Sequence, residues 1–293
     1  MRLVRCALTM IVVAVCGAAA APRAIGGQAV DLELALAVDN SGSVDTGEAM
    51  LQSKGYIDAF RHPSVIRAIE AGRLGRIAVA YFEWAGDKVL SVVADWTIIK
   101  NRETANEFAN KLARARPGNH PGTSISGAID YAVPFIQNNA FDGRRRVIDI
   151  SGDGPNNSGN LVVAARDRAV KAGMTINGLP ILNAGDGTLS YFNIPNLDLY
   201  YRNCVIGGPD AFVVIADTFS DFARSVRRKL ILEIAGLTPP GQNRHAAAAI
   251  HLVGGWQSAQ LKPPESPACD IGEILWRNRY RLDILKPHDR LRY

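Results

Sequence analysis

Two kinds of apolar pattern alternate along the chain. Residues 32–38 are a near-continuous apolar run broken by Glu33, the length of one strand buried on both faces. Met50, Leu51, Ile57 and Phe60 then predict a helix over 48–61. A second strand is expected over 76–82, and a third, of mixed polarity suited to a sheet edge, over 88–96. Helices follow over 102–115 and 126–138, then a strong strand over 145–150. A helix over 161–172, stopped by Gly173, leads into a strand over 174–181. A short strand over 211–216 and a closing helix over 219–235 complete the series. Buried strands alternating with helices predict an α/β fold in three layers. Its sheet is Rossmann-like, doubly wound and mostly parallel, covered on both faces, with one antiparallel edge strand.

The pattern fades in two places. Residues 183–210 are a long connection rich in Gly, Asn and Tyr, and long loops in compact domains often carry function. After Thr238 come Pro239-Pro240-Gly241, an Ala run, Pro263-Pro264 and a basic end. Residues 237–293 are therefore expected to be a largely disordered appendage, with one candidate helix over 271–285.

The N-terminus has the order of an export signal. Arg2 and Arg5 precede an apolar run from Ala7 to Val15, followed by small residues from Gly17 to Ala21. Cleavage is expected after Ala20 or after Ala29, the second giving a signal segment 1–29 and leaving Val30 at the first strand. Lipidation at Cys16 is disfavoured, because Val15 stands where a small residue is expected. No later stretch is long and apolar enough for a transmembrane anchor. An exported protein, periplasmic or secreted, is the expectation.

Charge changes this picture little. Among 293 residues, 33 Lys and Arg against 28 Asp and Glu leave +5. The excess sits in residues 1–22 and 237–293, while 23–236 is neutral. No folded basic face is implied, which argues against nucleic acid as a partner. Cys6 and Cys16 belong to the signal segment, leaving Cys204 and Cys269. These could pair with each other, stay free or pair between molecules. No CxxC or Cys/His cluster is present, and the five His are scattered, which argues against zinc.

The chemistry collects at strand ends. The first strand ends in Asp39-Asn40-Ser41-Gly42-Ser43, and a helix start carries Gly122-Thr123-Ser124. The strand over 145–150 runs into Ser151-Gly152-Asp153-Gly154. Open parallel sheets bind ligands beyond the carboxyl ends of their strands, where strand order reverses. Two carboxylates and three hydroxyls there form an all-oxygen set that suits Mg²⁺.

Asp39-x-Ser41-x-Ser43, followed by Thr123 and Asp153, resembles the metal-ion-dependent adhesion site of von Willebrand factor A and integrin I domains. The resemblance covers about 30–236 and includes the order of elements. The wording at 30–34, 81–84 and 148–157 is similar to an uncharacterised bacterial family of exported A-domain proteins. The resemblance implies direct metal ligation by Ser41, Ser43 and Thr123, with Asp39 and Asp153 acting mainly through water. It implies Mg²⁺, with Mn²⁺ an alternative, and a sixth position for a carboxylate of a protein partner. Asn40 departs from the commoner apolar residue but is not a ligand position.

Each residue also has a plainer reading. Ser41, Ser43 and Thr123 could cap helices. Asp149, inside the strand over 145–150, could support the site from behind or be a buried carboxylate bonded to a neighbouring loop. Glu83 and Trp84 follow the second strand near the same rim and could bind or pack. Arg144-Arg145-Arg146 reads as a solvated strand entry, remote from Asp153. Tyr191, Tyr200 and Tyr201 could line a binding wall or pack inside. The leading function is a Mg²⁺-dependent, non-enzymatic protein-binding module. A hydrolase using Ser124 needs a His base, with only His62 and His120 upstream, and an Asp39 phosphatase would want Asp at 41. A scaffold with a merely stabilising metal is the third reading.

Overall fold

All seven residues of Glu33–Asp39 are buried, so the first apolar run is a central strand. The computed structural model describes residues 26–88, 90–116, 118, 120–182, 194–240 and 265–285, with side chains to 279 in the last stretch. The signal segment up to residue 25, with Cys16, lies outside the described residues, as do Tyr191 and residues 241–264.

In chain order the elements begin with β1 Gln28–Val30, β2 Glu33–Asp39, α1 Thr46–Arg61, α2 Pro63–Glu70, β3 Ile77–Trp84 and β4 Leu90–Ile99. There follow α3 Arg102–Arg114, α4 Ile125–Gln137, β5 Phe141–Gly143, β6 Arg146–Gly152, α5 Val162–Lys171 and β7 Thr175–Pro180. A short α6 Leu197–Tyr200 runs into a π-helical turn Tyr201–Val205, and a 3-10 turn Phe219–Asp221 into α7 Phe222–Ala235. The last element is α8 Ile271–Leu285. β1 runs across the Ala29–Val30 junction and pairs with β5 in a small parallel ladder.

The main sheet has the order β4-β3-β2-β6-β7. All its pairs are parallel except β3 with β4, whose register shifts at a bulge around Tyr81. The pleat of β2 sends Leu34, Leu36 and Val38 to one face and Ala35 and Ala37 to the other. The first face packs on α1, α2, α3 and α7, the second on α4, α5 and residues 197–206. This is the expected three-layer α/β fold with one antiparallel edge strand. Among the described residues no helix is long and apolar enough to cross a membrane.

The buried charges explain the polar breaks in the strands. Glu33 accepts from Asn139 Nδ2 and Gly143 N, both at 2.6 Å, and pairs with Arg146 at 3.4 Å. It thereby ties the start of β2 to the turn before β6. The Arg run is more than a solvated entry. Arg145 donates to the Glu233 and Ile234 carbonyls at 2.5 and 2.8 Å, satisfying orphan acceptors at the end of α7. Asp149 bonds to a helix, not a loop: its Oδ2 lies 2.6 Å from Lys229 Nζ of α7. The same ammonium meets Glu233 Oε1 at 2.6 Å.

Two expectations change. Residues 211–216 form no regular strand; they touch β7 through single bridges, Gly178 with Val213 and Ile181 with Ala216. The ladder is broken between these bridges because Pro180 of β7 has no N–H to give, although Ala216 N still reaches the Pro180 carbonyl at 3.0 Å. The second change concerns the appendage, which is attached over residues 265–279. A disulfide joins Cys204 to Cys269. Asn203 Nδ2 donates to Ser266 Oγ at 2.7 Å, and Asn156 Nδ2 to Glu273 Oε1 at 2.7 Å.

Candidate metal centre

β2 and β6 are adjacent and parallel, and the chain leaves their carboxyl ends in opposite directions across the sheet. A crevice must open between those ends. Asp39 closes β2, and Asp153 follows directly on β6. The backbone turns at once after Asp39, because Ser41 N donates to Asp39 Oδ1 at 2.8 Å. Ser41 Oγ then lies 3.0 Å from Ser43 Oγ, and Ser43 Oγ donates to Asp153 Oδ1 at 2.7 Å. Hydrogen bonds thus link four of the five sequence-assigned residues.

Thr123, the fifth, is 5% exposed although it sits on a loop. Its loop is stapled to the one after β6. Thr123 N donates to Asn157 Oδ1 at 2.8 Å, and its carbonyl accepts from Asn157 N at 2.9 Å and Ser158 N at 3.2 Å. The same loop is fixed to α4, since Ser126 N donates to Asn156 Oδ1 at 2.9 Å. Sequence reasoning missed these two amides. The run Pro155-Asn156-Asn157 immediately after Asp153-Gly154 was the available signal.

The helix caps lie elsewhere. Asp45 caps α1 in a capping box with Glu48, and Ser124 caps α4. Ser41, Ser43 and Thr123 are therefore not spent as N-caps. Ser124 Oγ accepts from Gly127 N at 3.1 Å and donates to the Ser158 carbonyl at 3.0 Å. Its proton faces a carbonyl and not a base. His62 caps α2 and accepts from Ser64 N at 3.2 Å.

Electrostatics set the character of the crevice. Asp39 and Asp153 are 2% and 3% exposed. Burial, then the charge of Asp153, pushes the Asp39 carboxyl up to about 8. Asp39 Oδ2 is buried without a partner. Two carboxylates facing a shared, dry space favour a cation between them. Gly152 allows the close approach: a Cβ there would lie 2.8 Å from Asp39 Oδ2 and 2.9 Å from Tyr201 Oη. The set of two carboxylates and three hydroxyls fits a hard divalent ion and offers no soft ligand. Among the described residues there is no cluster of three or more His, Cys, Asp or Glu.

The rim residues have structural partners. Asn40 Nδ2 donates to Glu83 Oε2 at 2.7 Å, which accounts for an amide in place of an apolar residue. Burial raises the Glu83 carboxyl above its ordinary value. Trp84 is buried in the core on the α4 and α5 side of the sheet. Asp149 pairs with Lys229 of α7, while Tyr200 and Tyr201 are wholly buried in the core and form no exposed wall.

The order of elements and the mostly parallel sheet are those of the von Willebrand factor A-type fold. The chain belongs to the family described as Protein of unknown function (DUF1194), whose profile matches residues 29–238. Among solved structures, it is similar to the pilus adhesin SpaC of Lactobacillus rhamnosus GG. That match has 12% identity and a TM-score of 0.50, over 71% of this chain and 31% of the adhesin. Proximal thread matrix protein 1 of the mussel byssus matches at 13% identity and a TM-score of 0.48, over 71% of this chain and 48% of that protein. One structure of that mussel protein has a zinc-occupied MIDAS motif. A von Willebrand factor type A structure from Catenulispora acidiphila matches at 14% identity and a TM-score of 0.47, over 70% and 43% of the two chains. This chain thus spans about half or less of these relatives. No curated protein matches it.

Proposed function

We propose that the protein is an exported binding module whose strand-end site holds a divalent cation, Mg²⁺ or Mn²⁺, and uses it to capture a carboxylate of a protein partner. Ser41, Ser43 and Thr123 are the direct ligands, and Asp39 and Asp153 hold water around the ion. The bound cation supplies a Lewis-acid face to an incoming carboxylate oxygen. The chain's own residues do the rest. The backbone N–H of Ser41 orients Asp39, and Asn157 fixes the loop that carries Thr123. One observation carries the reading: Asp39 Oδ2 is buried, unpartnered and beside a second carboxylate. Such a group is costly unless a cation compensates it.

Binding is favoured over hydrolysis because the Ser124 hydroxyl is engaged as a cap. Export is supported by the N-terminal pattern and by the Cys204–Cys269 disulfide, since disulfides persist in oxidising compartments.

The test is calorimetry on metal-stripped protein with Mg²⁺, Mn²⁺ and Zn²⁺. Binding of Mg²⁺ or Mn²⁺ in preference to Zn²⁺, lost in Asp39→Ala and Asp153→Ala, is expected. Equal affinity in wild type and Asp39→Ala overturns the site. A Mg²⁺-dependent pull-down from periplasmic extract then identifies the partner. Recovery of the same proteins in EDTA overturns capture through the metal.

A further inference from the structure

We propose that helix α8 positions the metal centre through the Glu273–Asn156 hydrogen bond, so that a segment beyond the family match tunes the grip on the cation. This rests on the metal-binding reading above. The disulfide between Cys269 and Cys204 of the π-helical turn anchors the chain just before α8. The helix start then lies directly on the loop after β6. A Cβ at Gly272 would lie 1.9 Å from the Asn156 carbonyl oxygen, so only glycine permits this approach.

Asn156 is wholly buried, and every polar group of its amide has a set direction. Its Nδ2 donates to Asn160 O at 3.0 Å and to Glu273 Oε1 at 2.7 Å. Its Oδ1 accepts from Ser126 N at 2.9 Å, and its backbone N donates to Tyr200 Oη at 3.1 Å. The next residue, Asn157, holds Thr123 from both sides of the peptide. Any shift of Asn156 is carried along one peptide bond to the group that fixes Thr123. A helix that merely covered apolar surface would not need a carboxylate here. Glu273 Oε2 is buried without a partner, so the acid is kept at a cost. A charged acceptor fixes the Asn156 amide more firmly than a neutral one.

The test uses the full chain with Glu273→Ala and Glu273→Gln. Hydrogen exchange of the Thr123, Ser126 and Asn157 amides is read in EDTA, and Mg²⁺ affinity by calorimetry. Glu273→Ala should speed exchange at these amides and weaken Mg²⁺ by about threefold to tenfold, below the range for groups that touch a ligand directly. Glu273→Gln keeps an acceptor but loses its charge and should restore both only in part, to values between Glu273→Ala and wild type. Should Glu273→Ala not fold, Cys269→Ser releases the segment without touching Glu273 and carries the same expectation. Unchanged exchange in the releasing variant overturns the positioning, whether or not Mg²⁺ binds. Faster exchange with wild-type Mg²⁺ affinity overturns the link to the centre. If no form binds Mg²⁺, the metal reading fails, and exchange alone decides whether α8 holds the Thr123 loop.

Discussion

Lys229 Nζ lies 2.6 Å from Asp149 Oδ2, and both side chains are within 2% of complete burial. The ion pair joins the middle of β6 to α7. Glu233 shares the ammonium and receives Asn177 Nδ2 at 2.9 Å. One cation thus serves two acids inside the core.

Removing that cation should be severe. Lys229→Met takes the cation from the buried Asp149 and Glu233 and is expected to cost about 3–5 kcal/mol in urea unfolding. A loss under about 1 kcal/mol would mean that solvent reaches the group.

The same cluster makes stability depend on pH. Burial, then the Asp149 charge, pushes Glu233 up to about 8 from its ordinary 4.5, with Lys229 opposing. Between those values the fold keeps a proton that the unfolded chain has lost. Its contribution is therefore complete below about pH 4.5 and is lost as pH rises towards about 8. Glu233→Gln should flatten this fall in midpoint denaturant concentration. A variant that retains the full wild-type slope places the titration elsewhere.

Thr123→Ala should separate folding from metal binding. The hydrogen bonds that tie Thr123 into the fold run through its backbone, so the loss in EDTA should stay near 1 kcal/mol. Mg²⁺ affinity should fall at least about tenfold, because the ion tolerates little departure from octahedral geometry. Wild-type affinity in this variant removes Thr123 from the site. The comparison belongs in EDTA, since bound metal itself raises apparent stability.

Truncation after Thr238 keeps every strand and α7 but removes Cys269 and Glu273. A cooperative melt at lower temperature is expected, with about 2–4 kcal/mol lost through the disulfide. An unchanged melting temperature would show that the attached segment contributes nothing.

Thiol counting checks both the disulfide and export. Denatured mature protein should take up no alkylating agent before reduction and two equivalents after it, at Cys204 and Cys269. Four equivalents after reduction would mean that Cys6 and Cys16 remain on the chain.

The layers were legible because burial imprints itself on sequence. β2 and β6 are buried on both faces, so each shows as an apolar run interrupted only by a buried acid, Glu33 or Asp149. Ser41, Ser43, Thr123 and the two Asp stand out as candidates because short polar residues cluster where strands have to end. What sequence could not reveal was pairing. Lys229 and Glu233 are spaced as an ordinary exposed helical ion pair, and nothing in periodicity says that Asp149 lies opposite them. The partner of Cys204 lies 65 residues away, beyond a stretch of Pro and Ala that reads as unstructured. Residues 211–216 are apolar enough for a strand, but Pro180 of β7 lacks the N–H that a continuous ladder would need.

The bulge around Tyr81 also bears on solubility. β4 is the outer strand on its side, with Val92 43% exposed and Asp95 also pointing to solvent. A flat apolar border of this length would template stacking of one molecule on the next. The register shift twists the border out of plane, and the acid opposes an incoming strand. At the other border, the bridges from residues 211–216 occupy the groups that β7 would otherwise offer. Both open margins of the sheet are thus guarded against fibrous growth, which favours persistence as discrete particles at high local concentration.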